Sequence, residues 1–324
     1  MHSEIEPRLL GAGEYTAAEA AALAGAPLDR ARRLWVAFGF PVGADESARM
    51  FTAADVSALH TLNGLVADEI LDDASELAIA RSLGQAMSRL AEWQVDLIAA
   101  AAARRLGPDP TLAESVAKAS AVGEKVGPAL QDLQIYAWRR QLAVAAARML
   151  ANSDSGGDER VLAVGFADLV GYTALTRQLT DRQLNRMLDT FEAVTADAIG
   201  RGAGWVIKNV GDEVMFACNG AEDAAKIAIR LHEQIEQRPD ELPTVRIGIA
   251  RGPVLARYGD LFGTVVNLAS RLTGLARPGT TLVDVEAAGE LDGHPDFWLR
   301  SLKPIRVRGF RAVRAHVLRV NGRK

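Results

Sequence analysis

The chain has one cysteine, few aromatic residues, no long apolar run and no excess of basic charge, and each shortage excludes something. A single cysteine, Cys218, among 324 residues cannot close an intramolecular disulfide, which fits a reducing, cytoplasmic setting. The longest apolar stretch, Leu97 to Ala103, falls far short of the ~20 residues that cross a bilayer. It is mostly alanine, ends at Arg104-Arg105 and reads as a packed helix. The opening Met1-His-Ser-Glu-Ile-Glu-Pro is acidic and lacks the apolar segment of a secretion signal. No membrane span is expected. With 37 Lys+Arg against 41 Asp+Glu the net charge is −4, so no polybasic footprint points to nucleic acid.

What is present is apolar material, 49% of the chain, enough for a core in each of two ordinary domains. The two halves follow different patterns. From Tyr15 to Leu150 alanine and leucine dominate and β-branched runs are absent, which predicts helices. Breaks are expected at Gly39–Gly43, Gly107-Pro-Asp-Pro110 and Gly127-Pro128, with a last helix over about 128–150 that takes Pro128 in its first turn. A polar Ser/Asp/Gly linker covers 151–159.

After residue 160 short β-rich runs alternate with amphipathic stretches. Strands are expected at Val161–Ala167, Trp205–Val210, Glu213–Ala217 and Thr244–Ala250. Helices are expected at Thr180–Ile199, Ala221–Gln237 and Val265–Leu275, with Leu184, Met187, Leu188, Phe191 and Val194 on one face of the first. Later strands are expected at Thr280–Val283, Phe297–Leu299, Ile305–Val307 and His316–Val320. The order β-α-β-β-α-β is the split, ferredoxin-like arrangement. The fold class is therefore α/β over 160–324, preceded by an all-α domain over 1–150. Residues 151–324 carry 23 Lys+Arg and 22 Asp+Glu, and the first half is the more acidic.

In this arrangement the first strand neighbours the Trp205–Ala217 hairpin. That brings together Asp168, at the end of Phe166-Ala-Asp168, and Asp212, in the Gly-Asp turn of Lys208-Asn-Val-Gly-Asp212. Carboxylates at adjacent strand ends can hold hard divalent cations. Either aspartate alone could be an ordinary turn residue. The surroundings add weight. Gly171-Tyr172-Thr173 leads into a helix whose first N–H groups can cradle phosphates. Lys208 lies four residues before Asp212, and Asp260 sits in a glycine-flanked turn. Asn267 and Arg271 share one helix face at i, i+4.

Four segments in order, Phe166–Thr173, Lys208–Asp212, Gly248-Ile-Ala-Arg-Gly-Pro253 and Gly259–Arg271, resemble the catalytic domain of class III nucleotidyl cyclases. The resemblance implies an adenylate cyclase acting on ATP with two Mg²⁺ or Mn²⁺ per site. It implies that Asp168, Asp212 and the Leu169 backbone carbonyl hold the metals and that Lys208 and Asp260 read the purine. Asn267 would orient the ribose and Arg271 would stabilise the transition-state phosphate. Gly171, Tyr172, Thr173 and Arg308 would face the phosphates. It also implies a homodimer with shared active sites. The Gly156-Gly-Asp-Glu159 stretch looks like a diguanylate-cyclase signature, but it lies in the linker and not on a hairpin.

Tyr15–Gly25, Ala31–Trp35 and Phe51–Asp55 resemble a MerR-type helix-turn-helix over 15–60. Residues 1–60 contain five arginines and eight acidic residues, a poor surface for phosphates, so nucleic acid is not expected as a partner and a packing scaffold is favoured. The overall order resembles the mycobacterial pH-sensing adenylyl cyclase and its actinobacterial relatives, which implies a regulatory, dimerising N-terminal domain with pH or lipid as its input. The five scattered histidines support neither input specifically. The alternative is a DNA-binding regulator with a nucleotide-sensing, cyclase-like domain.

Overall fold

A computed structural model describes residues 10–322 apart from 42, 44, 108, 152–158, 258 and 308–309. The chain divides into two compact units, Met1–Ala146 and Ala147–Lys324.

The first unit is helical: α1 (Ala17–Leu23), α2 (Leu28–Phe38), α3 (Ala53–Ala67), α4 (Asp73–Ala103) and α5 (Leu112–Ala151). Local chemistry sets the boundaries. Thr16 and Glu19 form a capping box at the start of α1, and Thr52 and Asp55 form another at α3, each satisfying N–H groups that the first turn leaves open. A small core joins Ala20, Ala31, Leu34, Trp35, Phe51 and Leu59, with the Trp35 and Phe51 rings 4.1 Å apart. Arg30 of α2 is drawn into this packing. It pairs with the buried Glu76 and donates to Asn63.

The break expected at Gly127-Pro128 does not occur. Pro128 lies inside the 40-residue α5, so the helix expected over about 128–150 is only its C-terminal part. Proline removes one intrahelical hydrogen bond at a cost of ~3 kcal/mol. The alanine, leucine, glutamine and lysine residues on either side continue the helix, and cooperative propagation outweighs one unfavourable position.

The second unit contains β1 (Glu159–Leu169), α6 (Tyr172–Leu175), α7 (Asp181–Arg201), β2 (Trp205–Val210), β3 (Glu213–Cys218), α8 (Ala221–Glu236), β4 (Val245–Arg257), β5 (Asp260–Phe262), α9 (Thr264–Leu275), β6 (Thr281–Val283), α10 (Val285–Leu291), β7 (Phe297–Ser301), β8 (Ile305–Val307), β9 (Phe310–Val313) and β10 (His316–Val320). The strand order is β2-β3-β1-β4-β6-β10-β7, with β5 paired to β4. The first four strands follow the expected split arrangement, and β1 lies antiparallel between β3 and β4. Neither α10 nor the short strands β5 and β9 was foreseen, and β4 runs seven residues past Ala250. Residues 156–158 of the Gly-Gly-Asp-Glu stretch lie outside the described residues, and Glu159 opens β1.

Strand alternation divides β1 between two cores. Ala163, Ala167 and Leu169 pack with α7, α8 and α10, against residues such as Phe191, Ile227 and Leu291. Leu162, Val164 and Phe166 face the other way, with Val265 and Ala269 of α9. Cys218 is fully buried in the first core, where burial pushes its thiol pKa up and leaves it inert. Among the described residues no helix is long and apolar enough to cross a membrane.

Asp284 joins α10 to β4. Its carboxylate caps α10 at Ala287 N–H (2.9 Å) and accepts the Arg251 N–H (3.2 Å). Burial raises its pKa from 3.8 to about 6. The folded state therefore holds this proton more tightly than the unfolded chain does. That stabilisation is complete below pH 3.8 and is lost as pH rises through about 6, an effect of about 3 kcal/mol. Asp284→Asn keeps the cap and the acceptor but has no charge to bury. In urea unfolding its stability relative to the unmodified chain should improve by up to that amount between pH 4 and 7. Parallel pH profiles for the two proteins would contradict the assignment.

Candidate active site

Asp168 lies one residue before the end of the buried central strand, facing Glu213 on β3 and Arg246 on β4 in register. All three project from the α9 side of the sheet, because each is an even number of residues from a neighbour in that core. Asp212 arrives from the adjoining turn. Val210 pairs with Glu213, so Gly211-Asp212 is a two-residue hairpin loop, and Gly211 supplies the positive φ (+61°) that such a loop needs. Leu169 N–H donates to the Asp212 carbonyl at 3.1 Å and fastens the end of β1 to this turn.

Asp168 is only 9% exposed. The Arg246 guanidinium lies on its Oδ2, with both Nε and Nη2 at 2.6 Å. Burial, and then the Asp168 charge, raise the Asp212 pKa, while Arg246 lowers it. Glu213 is raised by burial and by the same two aspartates. The two aspartates and Glu213 thus act on one another near the Arg246 guanidinium, with Lys208 also favouring the Glu213 carboxylate. An oxygen-only, under-compensated set of this kind suits a hard divalent cation. Among the described residues no three His, Cys, Asp or Glu side chains converge as a ligand set. A cation held by Asp168, Asp212 and the Leu169 carbonyl would therefore draw the rest of its oxygen shell from water or substrate.

Gly171, Tyr172 and Thr173 form the start of the one-turn α6. Ala174 and Leu175 N–H both bond to the Gly171 carbonyl, and the N–H groups before them have no partner within the turn.

Lys208 and Asp260 meet although 52 residues apart: Nζ lies 2.6 Å from Oδ2. A bulge makes this possible. The β2–β3 register shifts between Val206 and Lys208, so Lys208, and not Ile207, faces Met215. A one-residue shift exchanges the faces of a strand. Without it Lys208 would face Val214, whose side chain lies in the core on the opposite side. Asp260 is oriented by the Leu261 N–H, which donates to Oδ1 at 2.8 Å.

Asn267 and Arg271 are exposed on α9. Among the described residues, neither makes a hydrogen bond or ion pair with the aspartates or with the Lys208–Asp260 pair. Arg308 lies outside the described residues. The sequence reading missed Arg246 and Glu213. The signal for Arg246 was available: it is the one charged residue in the apolar run Val245-Arg-Ile-Gly-Ile249, so it needs a buried partner.

Residues 158–320 match the adenylate and guanylate cyclase catalytic domain. The chain belongs to this family. An adenylate cyclase of Streptomyces coelicolor is 42% identical over 290 residues, covering 89% of this chain and 74% of the relative. One from Glutamicibacter nicotianae is 36% identical over 335 residues, covering 98% and 81%. A pH-sensitive adenylate cyclase of Mycobacterium tuberculosis is 33% identical over 203 residues, 61% of this chain and 50% of its own. The first two relatives span both units, so the similarity extends beyond the cyclase domain.

Arg246→Met leaves Asp168 beside two further carboxyl groups in the cyclase unit. It should destabilise that unit by about 2 kcal/mol. This is less than the ~3–5 kcal/mol of a fully buried pair, because the Arg246 side chain is 36% exposed. Mg²⁺ or Mn²⁺ should recover part of the loss by replacing the missing positive charge. Thermal unfolding with and without metal measures both effects. A variant that melts with the unmodified chain, with or without metal, would show that the ion pair is not needed.

Proposed function

We propose that the chain is an adenylate cyclase that converts ATP to 3′,5′-cyclic AMP and pyrophosphate at sites shared by two copies of the chain. The observation that carries the base preference is the Lys208–Asp260 pair, joined at 2.6 Å. Adenine offers an acceptor at N1 and a donor at its 6-amino group, which complement a lysine donor and an aspartate acceptor. Guanine offers the reverse at this edge. The relatives described above carry the name adenylate cyclase.

In this reading Asp168, Asp212 and the Leu169 carbonyl hold two Mg²⁺ or Mn²⁺ ions. When bound, these supply the positive charge that makes the ribose 3′-hydroxyl acidic and neutralises pyrophosphate. Asn267 orients the ribose so that the 3′-oxygen lies in line with the α-phosphorus. The 3′-hydroxyl gives up its proton to solvent, its oxygen bonds to that phosphorus, the bond to the β-phosphate bridge breaks, and pyrophosphate leaves with the electron pair. Arg271 presents its fixed fork of donors to the charge that develops there. The N–H groups of Gly171–Thr173, together with Arg308, face the phosphates.

Sharing between copies is supported by Asn267 and Arg271, which are exposed and, among the described residues, make no hydrogen bond or ion pair with the aspartates of their own chain. Asp168 and Asp212 of one copy would meet Asn267 and Arg271 of the other, giving two complete sites per dimer.

The helical N-terminal half acts as a regulatory, dimerising domain joined through the segment between α5 and β1 to the cyclase unit, in a cytoplasmic protein. The ion pairs of the helix-turn-helix support a scaffold more than a DNA reader. Arg30 is paired with Glu76, Arg32 with Glu46 at 2.7 Å and Arg49 with Glu19 at 3.1 Å. An open groove of about 860 Å³ beside α2 and α4 is lined by Val36, Ala37 and Leu77 and by Arg33, Arg81 and Arg89. It is a candidate place for a regulatory ligand.

The purified full chain should form cyclic AMP from ATP, and much less cyclic GMP from GTP, when Mg²⁺ or Mn²⁺ is supplied. Lys208→Glu with Asp260→Cys should lower kcat/KM for ATP by at least about tenfold. Unchanged ATP kinetics in that double variant would remove the purine assignment. Deletion of residues 1–150 should change the specific activity severalfold or alter its pH profile, and identical behaviour of both forms would end the regulatory reading.

A further inference from the structure

We infer that Thr273 is a positioning residue: its buried hydroxyl, seated beside Gly248, fixes α9 on the sheet and thereby sets the direction of Asn267 and Arg271. The inference rests on the proposal that these two residues act on ATP.

Thr273 is 1% exposed on the sheet side of α9, together with Val265, Ala269 and Leu272, while Asn267 and Arg271 are on its exposed side. Its Oγ1 lies 3.0 Å from the Ala269 carbonyl and 3.3 Å from that of Phe166. The first contact is the ordinary bond of a helical threonine to the preceding turn. The second, longer contact leaves the helix altogether, and since the hydroxyl has a single proton the two carbonyls share it. This contact reaches the backbone of β1 two residues before Asp168.

The opposing surface is equally specific. A Cβ at Gly248 would lie 2.2 Å from Thr273 N, 2.5 Å from the Ala269 carbonyl oxygen and 2.6 Å from Thr273 Oγ1. The backbone of α9 therefore rests directly on β4, and one hydroxyl joins it to β1. A helix held this closely has one azimuth. Any rotation that relieved the contact would swing the outward side chains most, and displacements of ~1 Å at reacting groups cost rate steeply. A valine here would fill the same space but could not bond to Phe166. It would hold α9 by packing alone.

The placement has a second consequence if the sites are shared. The Thr273–Phe166 link joins a strand that delivers Asp168 to one site to a helix that delivers Arg271 to the other.

The test compares Thr273→Val with Thr273→Ser in the full chain, with Arg271→Ala alongside. Thermal unfolding establishes that each is folded. Thr273→Val should lower kcat by about tenfold while KM for ATP stays within about twofold, and Thr273→Ser should keep kcat within about threefold of the unmodified chain. Mixed dimers then locate the effect. An Asp168→Ala chain with an Arg271→Ala chain should restore one site. Adding Thr273→Val to the Asp168→Ala chain, whose α9 serves that site, should lower the restored activity. Adding it to the Arg271→Ala chain, whose α9 is already out of use, should leave it within about twofold. A folded Thr273→Val enzyme with unchanged kcat overturns the inference, as does equal loss from both placements. Thr273→Ala replaces the valine variant if that does not fold, and full activity in it is equally decisive. An Arg271→Ala enzyme with full activity, or failure of the two parent chains to restore a site in proven heterodimers, counts against the proposed site and not against the seat of α9.

Discussion

The structure of the cyclase unit is organised around a negative charge placed where solvation is poorest. β1 is buried along nearly its whole length and carries Asp168 at its end. A carboxylate there cannot stand without compensation. The sheet provides it by register, with Arg246 directly opposite on β4. Glu213 and Asp212 then add carboxyl groups whose pKa stays raised although Arg246, and for Glu213 also Lys208, act against it. The fold holds an electrostatic debt in a fixed geometry, and on the proposed reading it is this debt that bound cations would settle at the end of β1.

The same strand geometry connects charge to packing. The face of β1 that presents Asp168 is the face that receives α9, so the helix carrying Asn267 and Arg271 is anchored on the same side of the sheet as the carboxylates, with no hydrogen bond or ion pair between them among the described residues. Its anchorage uses Val265, Ala269, Leu272 and Thr273, the alternate side of the helix from the two exposed polar residues. Small residues do this work: Gly248 and Ala269 permit an approach that larger side chains would prevent. Asn267 and Arg271 make no hydrogen bond or ion pair with the aspartates or with the Lys208–Asp260 pair among the described residues, so their separation from those groups depends on how α9 is seated.

Much of this was legible from the sequence, for physical reasons that also explain what was missed. The strands and helices of the βαββαβ core were readable because apolar alternation and the 3.6-residue period are local properties. The meeting of Asp168 with Asp212 followed from the order of elements. The lone charge of Arg246 in an apolar run signals that it has a partner, but which partner depends on the residue it faces on β1, and register is not written in either strand alone. The bulge at Ile207 is of the same kind. No local pattern marks it, yet it decides which face Lys208 occupies. Pro128 misled in the opposite direction: a strong local breaker was read as a boundary, but its cost is smaller than the gain of continuing a long helix.

The exposed position of Asn267 and Arg271 bears on how such a site can be controlled. On the proposed reading each chain holds two half-sites, one at the end of β1 and one on α9, and neither turns over alone. Completion then depends on the apposition of two copies. A regulatory domain need not touch any of the reacting groups. It needs only to favour one arrangement of the pair over another, and a few kcal/mol of difference between two arrangements is enough to change the populated one. Because each arrangement sets both sites together, the expected response is joint opening or closing of the pair, with α9 as the part whose seat must stay rigid while the copies move.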